Sequence, residues 1–208
     1  MRLRHKKWTN RILEENTDIG LYLETLNKEE LKNIDYLEIG SGLGQFLLSL
    51  SESNKDKNCL GVEINKNAFA SALKKTSPFK KDVTNFKFIN APIDKLLPLI
   101  DDNSIENIYI NFPDPWPKKK THHRRLSSVS FLKEYNRILK NGGHIYFRTD
   151  NIDLFNDSIE YFKEANLFET EIIQPFYSEK VDYLPATEYE KKFRSLGVDI
   201  NLLIATKK

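Results

Sequence analysis

The chain has 208 residues, 39% of them hydrophobic and 12% aromatic, and a formal net charge of +2. That apolar share fills one core and excludes a wholly disordered chain, while the length favours a single domain over residues 1–208. The longest apolar runs are too short to cross a bilayer, and the start MRLRHKKWTN lacks a signal-peptide core, so the expectation is a cytoplasmic protein with no membrane partner.

In chain order, residues 1–27 form a basic extension expected to pack on the domain, with Arg2, Arg4, Lys6, Lys7 and Arg11 in an acid-free opening. Predicted strands follow at 34–39, 59–64, 86–89, 107–110 and 144–149, each rich in β-branched or aromatic residues. Between them lie helical spacings of three and four: Leu43, Leu47, Leu50; Phe69, Leu73; Leu132, Tyr135, Leu139; and Ile152, Phe155, Ile159, Phe162. This alternation needs crossovers, hence a largely parallel sheet with helices on both faces. Asn141-Gly142-Gly143 is expected to end a helix. Two further strands, 169–174 and 199–206, enclose a helical piece at 187–195, and the last strand is expected to run antiparallel at the sheet edge. The lone cysteine, Cys59, excludes an intrachain disulfide framework and a zinc site of several thiolates, and reads as a small buried strand residue.

Candidate site residues gather at the predicted strand ends. In DYLEIGSGLGQ (residues 35–45), Gly40, Gly42 and Gly44 let the backbone turn and approach a ligand. A dinucleotide loop has glycine where Gln45 stands, and a pyrophosphate would be repelled by Glu38. Glu38 suits an amino or sulfonium group instead, and Glu63, ending the next strand, suits two ribose hydroxyls. The plainer alternative makes both acids exposed strand-end residues. The combination favours S-adenosylmethionine, with Asn90-Ala91 placed to hold adenine. In Asn111-Phe112-Pro113-Asp114-Pro115-Trp116-Pro117, two prolines stiffen the backbone around Asp114, and Trp116 can stack on a base. The plainer alternative is a stiff turn with a core tryptophan. The basic block Lys118-Lys119-Lys120-Thr121-His122-His123-Arg124-Arg125 reads by itself as a solvated loop, but together with the basic opening it suits phosphates, and Asp150 ends another strand in FRTDN.

With MRLRHKKW, LEIGSGLG, GVEINK, FPDPWPKKK, HHRRL, FRTDN and TEYE, the chain resembles the bacterial tRNA (guanine-N(7)-)-methyltransferase family over its whole length. The resemblance implies a Rossmann-like S-adenosylmethionine-dependent fold with a closing antiparallel strand. It also implies methylation of the 7-nitrogen of guanine 46 in tRNA. It places cofactor contacts on Glu38, Glu63, Asn90 and Asp114, and makes Asp114 the catalytic residue. Substrate contacts fall on Lys118, Asp150, Thr187, Glu188, Tyr189 and Glu190. Chemistry adds that Glu190 would accept from guanine N–H groups. Asn90 replaces an aspartate common in the family, and Lys120-Thr121 replaces an Arg-His pair. An exocyclic-amine methyltransferase and a non-catalytic, cofactor-sensing RNA-binding protein are the alternatives. The sequence leaves monomer and homodimer open.

Overall fold

The computed structural model describes residues 8–177 and 184–208, in two compact units, Met1–Ile100 and Asp101–Lys208. Arg2, Arg4, Lys6 and Lys7 of the basic opening lie outside the described residues.

In the first unit four strands are all parallel: β1 (Gly20–Tyr22), β2 (Tyr36–Ile39), β3 (Cys59–Glu63) and β4 (Phe86–Asn90), in the order β1-β4-β3-β2. Parallel neighbours need a crossover, and helices supply it. α1 (Thr9–Glu15) packs against α3 (Lys66–Thr76); α2 (Gln45–Ser53) carries β2 to β3, and α3 carries β3 to β4. A short α4 (Ile93–Leu96) follows β4. Every residue of β2 and β3 is buried, as strands covered on both faces require. Asn65 starts α3 by accepting hydrogen bonds from the backbone N–H groups of Asn67 and Ala68. Cys59 is buried, and desolvation pushes its thiol up to about 11, which leaves no thiolate nucleophile at neutral pH.

The second unit holds β5 (Ile105–Asn111), β6 (Leu139–Thr149), β7 (Phe168–Ile173) and β8 (Asn201–Lys207), in the order β5-β6-β8-β7. β5 and β6 are parallel, joined through α5 (Val129–Ile138), and β8 is antiparallel to both β6 and β7. α6 (Ile152–Ala165) connects β6 to β7, and α7 (Glu188–Ser195) precedes β8. Asn151 caps α6 by accepting from Leu154 N, and Thr187 caps α7 by accepting from Glu190 N at 2.9 Å. The eight strands are thus mostly parallel with antiparallel pairing at the close, in a mixed α/β fold.

Several expectations are corrected. The antiparallel strand is not at the edge: β8 is inserted between β6 and β7, so β7 ends the order. Asn141-Gly142-Gly143 does not close a helix; α5 stops at Ile138, and the three residues lie in β6. There the pairing jumps from Ile105↔Leu139 to Asn107↔His144, so residues 140–143 form a wide bulge. A glycine with positive φ serves either purpose, and Gly142 (φ 75°) serves the bulge. Leu139 begins a strand rather than ending a helix, while Leu43 and Ile152 are exposed.

Candidate active site

In the first unit the turn from β2 into α2 carries three left-handed glycines, Gly40, Gly42 and Gly44, at φ 79°, 55° and 78°. At Gly44 a Cβ would sit 2.7 Å from the Phe88 ring and 3.0 Å from Ala72, so close packing as well as φ demands glycine. Nothing lies within 4 Å of a Cβ at Gly40, where the backbone faces open space. The Ser41 hydroxyl is buried with no hydrogen-bond partner among the described residues.

Glu38 and Glu63 are both buried, at 2% and 8% exposure, which removes the reading of exposed strand ends. Glu63 Oε2 accepts from Gly42 N at 2.9 Å and Oε1 from Asn65 N at 2.7 Å, so the carboxylate is fixed against the glycine turn and the α3 cap. A carboxylate held in this way is the kind of acceptor that suits a diol. Asn90 Nδ2 donates to the carbonyls of Glu63 (2.7 Å) and Ile64 (3.2 Å). Both amide hydrogens are thereby used, and Oδ1 is presented as an acceptor, the capacity an aspartate would offer. Ala91 is buried just beyond. Glu63, Gly42 and Asn90 form one connected group; Glu38 lies on β2, in register with Gly61 of β3. Carboxylates, an amide acceptor, an open glycine backbone and an orphaned buried hydroxyl fit S-adenosylmethionine, and the acids oppose a pyrophosphate.

In the second unit the loop after β5 holds Asp114 exposed between Pro113 and Pro115. Phe112 (φ 51°) and Trp116 (φ 41°) bracket it in the left-handed region, a strain on the order of 1 kcal/mol for each bulky side chain. Surrounding contacts hold the strained loop. Phe112 N donates to Arg148 O at 2.8 Å, and its ring lies 4.5 Å from that of Tyr189. Arg125 Nε donates to Pro115 O at 2.8 Å, and Arg124 lies over the Trp116 ring at 5.1 Å. Trp116 is half-buried against that guanidinium rather than a core residue.

The basic block divides. Lys118, Lys119, Lys120, His123 and Arg124 are exposed. Arg125 is not: it is 3% exposed and also donates to Asp157 and Tyr161, which corrects its assignment to phosphate binding. His122 pairs with Tyr161 at 3.1 Å, and Thr121 is turned onto Lys118 O. Arg11 pairs with Glu15 at 2.6 Å.

Asp150, Thr187, Tyr189 and Glu190 come together. Tyr189 lies near Asp150; desolvation first, then that carboxylate, raises its phenol above the ordinary range, so it stays protonated at neutral pH. The Tyr189 ring stacks on Phe193 at 4.0 Å. Glu188 is exposed. Glu190 is wholly buried, 3.0 Å from Arg148 and 2.7 Å from Arg194. Its carboxylate is committed to two guanidiniums, and this corrects its expected role as an acceptor for guanine N–H groups. Arg148, Arg194 and Phe112 went unassigned in the sequence. The one signal for Arg148 was a charge inside a strand otherwise buried from Ile145 to Thr149.

The fold and the glycine turn define a Rossmann-like, S-adenosylmethionine-dependent methyltransferase. Residues 32–203 match the family described as "Putative methyltransferase". In fold, the chain is similar to the 16S rRNA methyltransferase KamB (TM-score 0.62, 16% identity, covering 86% of this chain and 92% of that one). It is similar likewise to a SAM-dependent methyltransferase from Aquifex aeolicus (TM-score 0.57, 14% identity, covering 98% and 100%). Closer in sequence are proteins named tRNA (guanine-N(7)-)-methyltransferase. The one from Bacillus subtilis is 34% identical over 206 residues, 96% of each chain, and the one from Clostridium novyi 36% over 216 residues, 99% of each. The chain belongs to the tRNA (guanine-N(7)-)-methyltransferase family.

Proposed function

We propose that the protein methylates the 7-nitrogen of guanine at position 46 of tRNA, in the cytoplasm, with residues 1–208 working as one methyltransferase domain. The full-length likeness to relatives named for that activity carries the reading. The fixed carboxylate of Glu63 supports its cofactor half. Among the described residues no helix is long and apolar enough to cross a membrane.

S-adenosylmethionine, when bound, supplies an electrophilic methyl group on a sulfonium. Glu63 would hold the ribose hydroxyls, Asn90 Oδ1 would accept from the adenine amino group, and Ala91 would line the base. Glu38 takes the amino-acid end, and Gly40 and Gly42 let the backbone approach. Guanine N7 carries a lone pair and no proton, so the transfer itself calls for no general base. Asp114 orients the guanine and stabilises the positive charge as it passes to the purine. Lys118, Lys119, Lys120 and Arg124 neutralise tRNA phosphates. Asp150, near Tyr189, contacts the base with Thr187 and Glu188, while Glu190 holds that segment in place.

Unmodified tRNA incubated with protein and cofactor is expected to yield 7-methylguanosine on nucleoside mass spectrometry, and Asp114→Ala is expected to lower turnover roughly 10²-fold. A methylated exocyclic amine, or cofactor and RNA binding with no methyl transfer, would overturn the reading.

A further inference from the structure

Among the described residues, Arg148 is the largest wholly buried side chain. Its Nε donates to Asn111 Oδ1 at 2.7 Å, and its Nη1 donates to Pro185 O and to Glu190 Oε2, each at 3.0 Å. Its own carbonyl accepts from Phe112 N. One residue therefore ties together the end of β5, the first residue of the Asp114 loop, and the 185–190 segment. Asp150 follows two positions along and acts electrostatically on Tyr189 of that same segment. On the far side of Glu190, Arg194 donates to Phe176 O at 2.7 Å, so the segment is anchored at both ends.

A guanidinium in a sheet interior is costly to desolvate, and well-packed apolar residues in place of a buried ion pair often fold as well or better. Packing alone therefore does not account for it. What an arginine adds is a rigid planar fork that fixes the spacing of several acceptors at once. We propose that Arg148 is a positioning residue for methyl transfer: by bridging Asn111 to Pro185 and Glu190, it sets the separation between the Asp114 loop and the segment that contacts the guanine. This rests on the reading that those two segments handle the base.

Two variants test it. Arg148→Lys keeps the charge but not the fork, and the double change Arg148→Met with Glu190→Leu replaces the pair by apolar bulk. Each is assayed for melting temperature, affinity for S-adenosylhomocysteine, tRNA affinity, and single-turnover methyl transfer with both substrates saturating. The expected result is a folded protein with both affinities within about twofold of the parent and a single-turnover rate about 10²-fold lower, the scale of a misplaced reacting group. A folded variant with the parent rate, a rate loss matched by lost tRNA affinity, or failure of both variants to fold would each overturn the proposal and make Arg148 purely structural. If the unaltered protein forms no 7-methylguanosine, the functional reading itself fails, which the parent control reports separately.

Discussion

Arg125 shows how a single side chain changes role once its surroundings are known. Its guanidinium holds Pro115 O on one side and Asp157 and Tyr161 of α6 on the other, so the charge is used to pin the Asp114 loop to a helix. Arg125→Ala is expected to cost about 1.5–3 kcal/mol of stability, the range for hydrogen bonds involving a charged group. The slope of tRNA affinity against salt should stay unchanged, because no phosphate contact is lost. Replacing Lys119 and Arg124 by alanine should do the reverse, flattening that slope while leaving the denaturation midpoint nearly intact. Chemical denaturation and binding at several salt concentrations separate the two; a flattened slope in Arg125→Ala would restore its place among the phosphate contacts. The pattern of basic residues in the sequence marked the block but not the division within it. Burial of one arginine depends on Asp157 and Tyr161, more than thirty positions away.

At the scale of one element, the turn from β2 into α2 makes opposite demands at neighbouring glycines. A Cβ at Gly44 meets Phe88 and Ala72, whereas a Cβ at Gly40 meets nothing within 4 Å. Gly44→Ala should therefore destabilise the first unit by about 1–3 kcal/mol, as overpacking does. Gly40→Ala should cost on the order of 1 kcal/mol for its φ alone, yet weaken cofactor binding disproportionately by filling the approach of the ligand. Melting curves with calorimetric titration of S-adenosylhomocysteine decide it; unchanged affinity in Gly40→Ala would place the ligand elsewhere. This turn was legible in advance because three glycines between a buried acid and a helix leave few backbone solutions. Asn141-Gly142-Gly143 was not, since glycine chemistry alone does not distinguish a helix end from a bulge between paired strands. Glu190 was misread for a related reason. The resemblance and the acceptor chemistry of a carboxylate pointed it at guanine, and only the fold reveals the two arginines that pair with it.

For the molecule as a whole, the alternation of strands and helices was legible because parallel neighbours demand crossovers; the placing of residues 201–207 was not, since strand order is set by tertiary pairing. That placing has a consequence for biosynthesis. The strands of the first unit all lie before residue 91, so its sheet can pair while the rest is still being made. The sheet of the second unit cannot be completed in that way, because β8 fills the gap between β6 and β7 and buries Leu202 and Leu203 completely. Until those residues leave the ribosome, β6 and β7 each expose an unpaired backbone edge, a state open to wrong pairing and to chaperones. Nascent chains stalled at increasing lengths should show protease protection of the first unit early. The second unit should gain protection abruptly, only when β8 has emerged; a stepwise gain through β5, β6 and β7 would show instead that the second unit folds without its inserted strand.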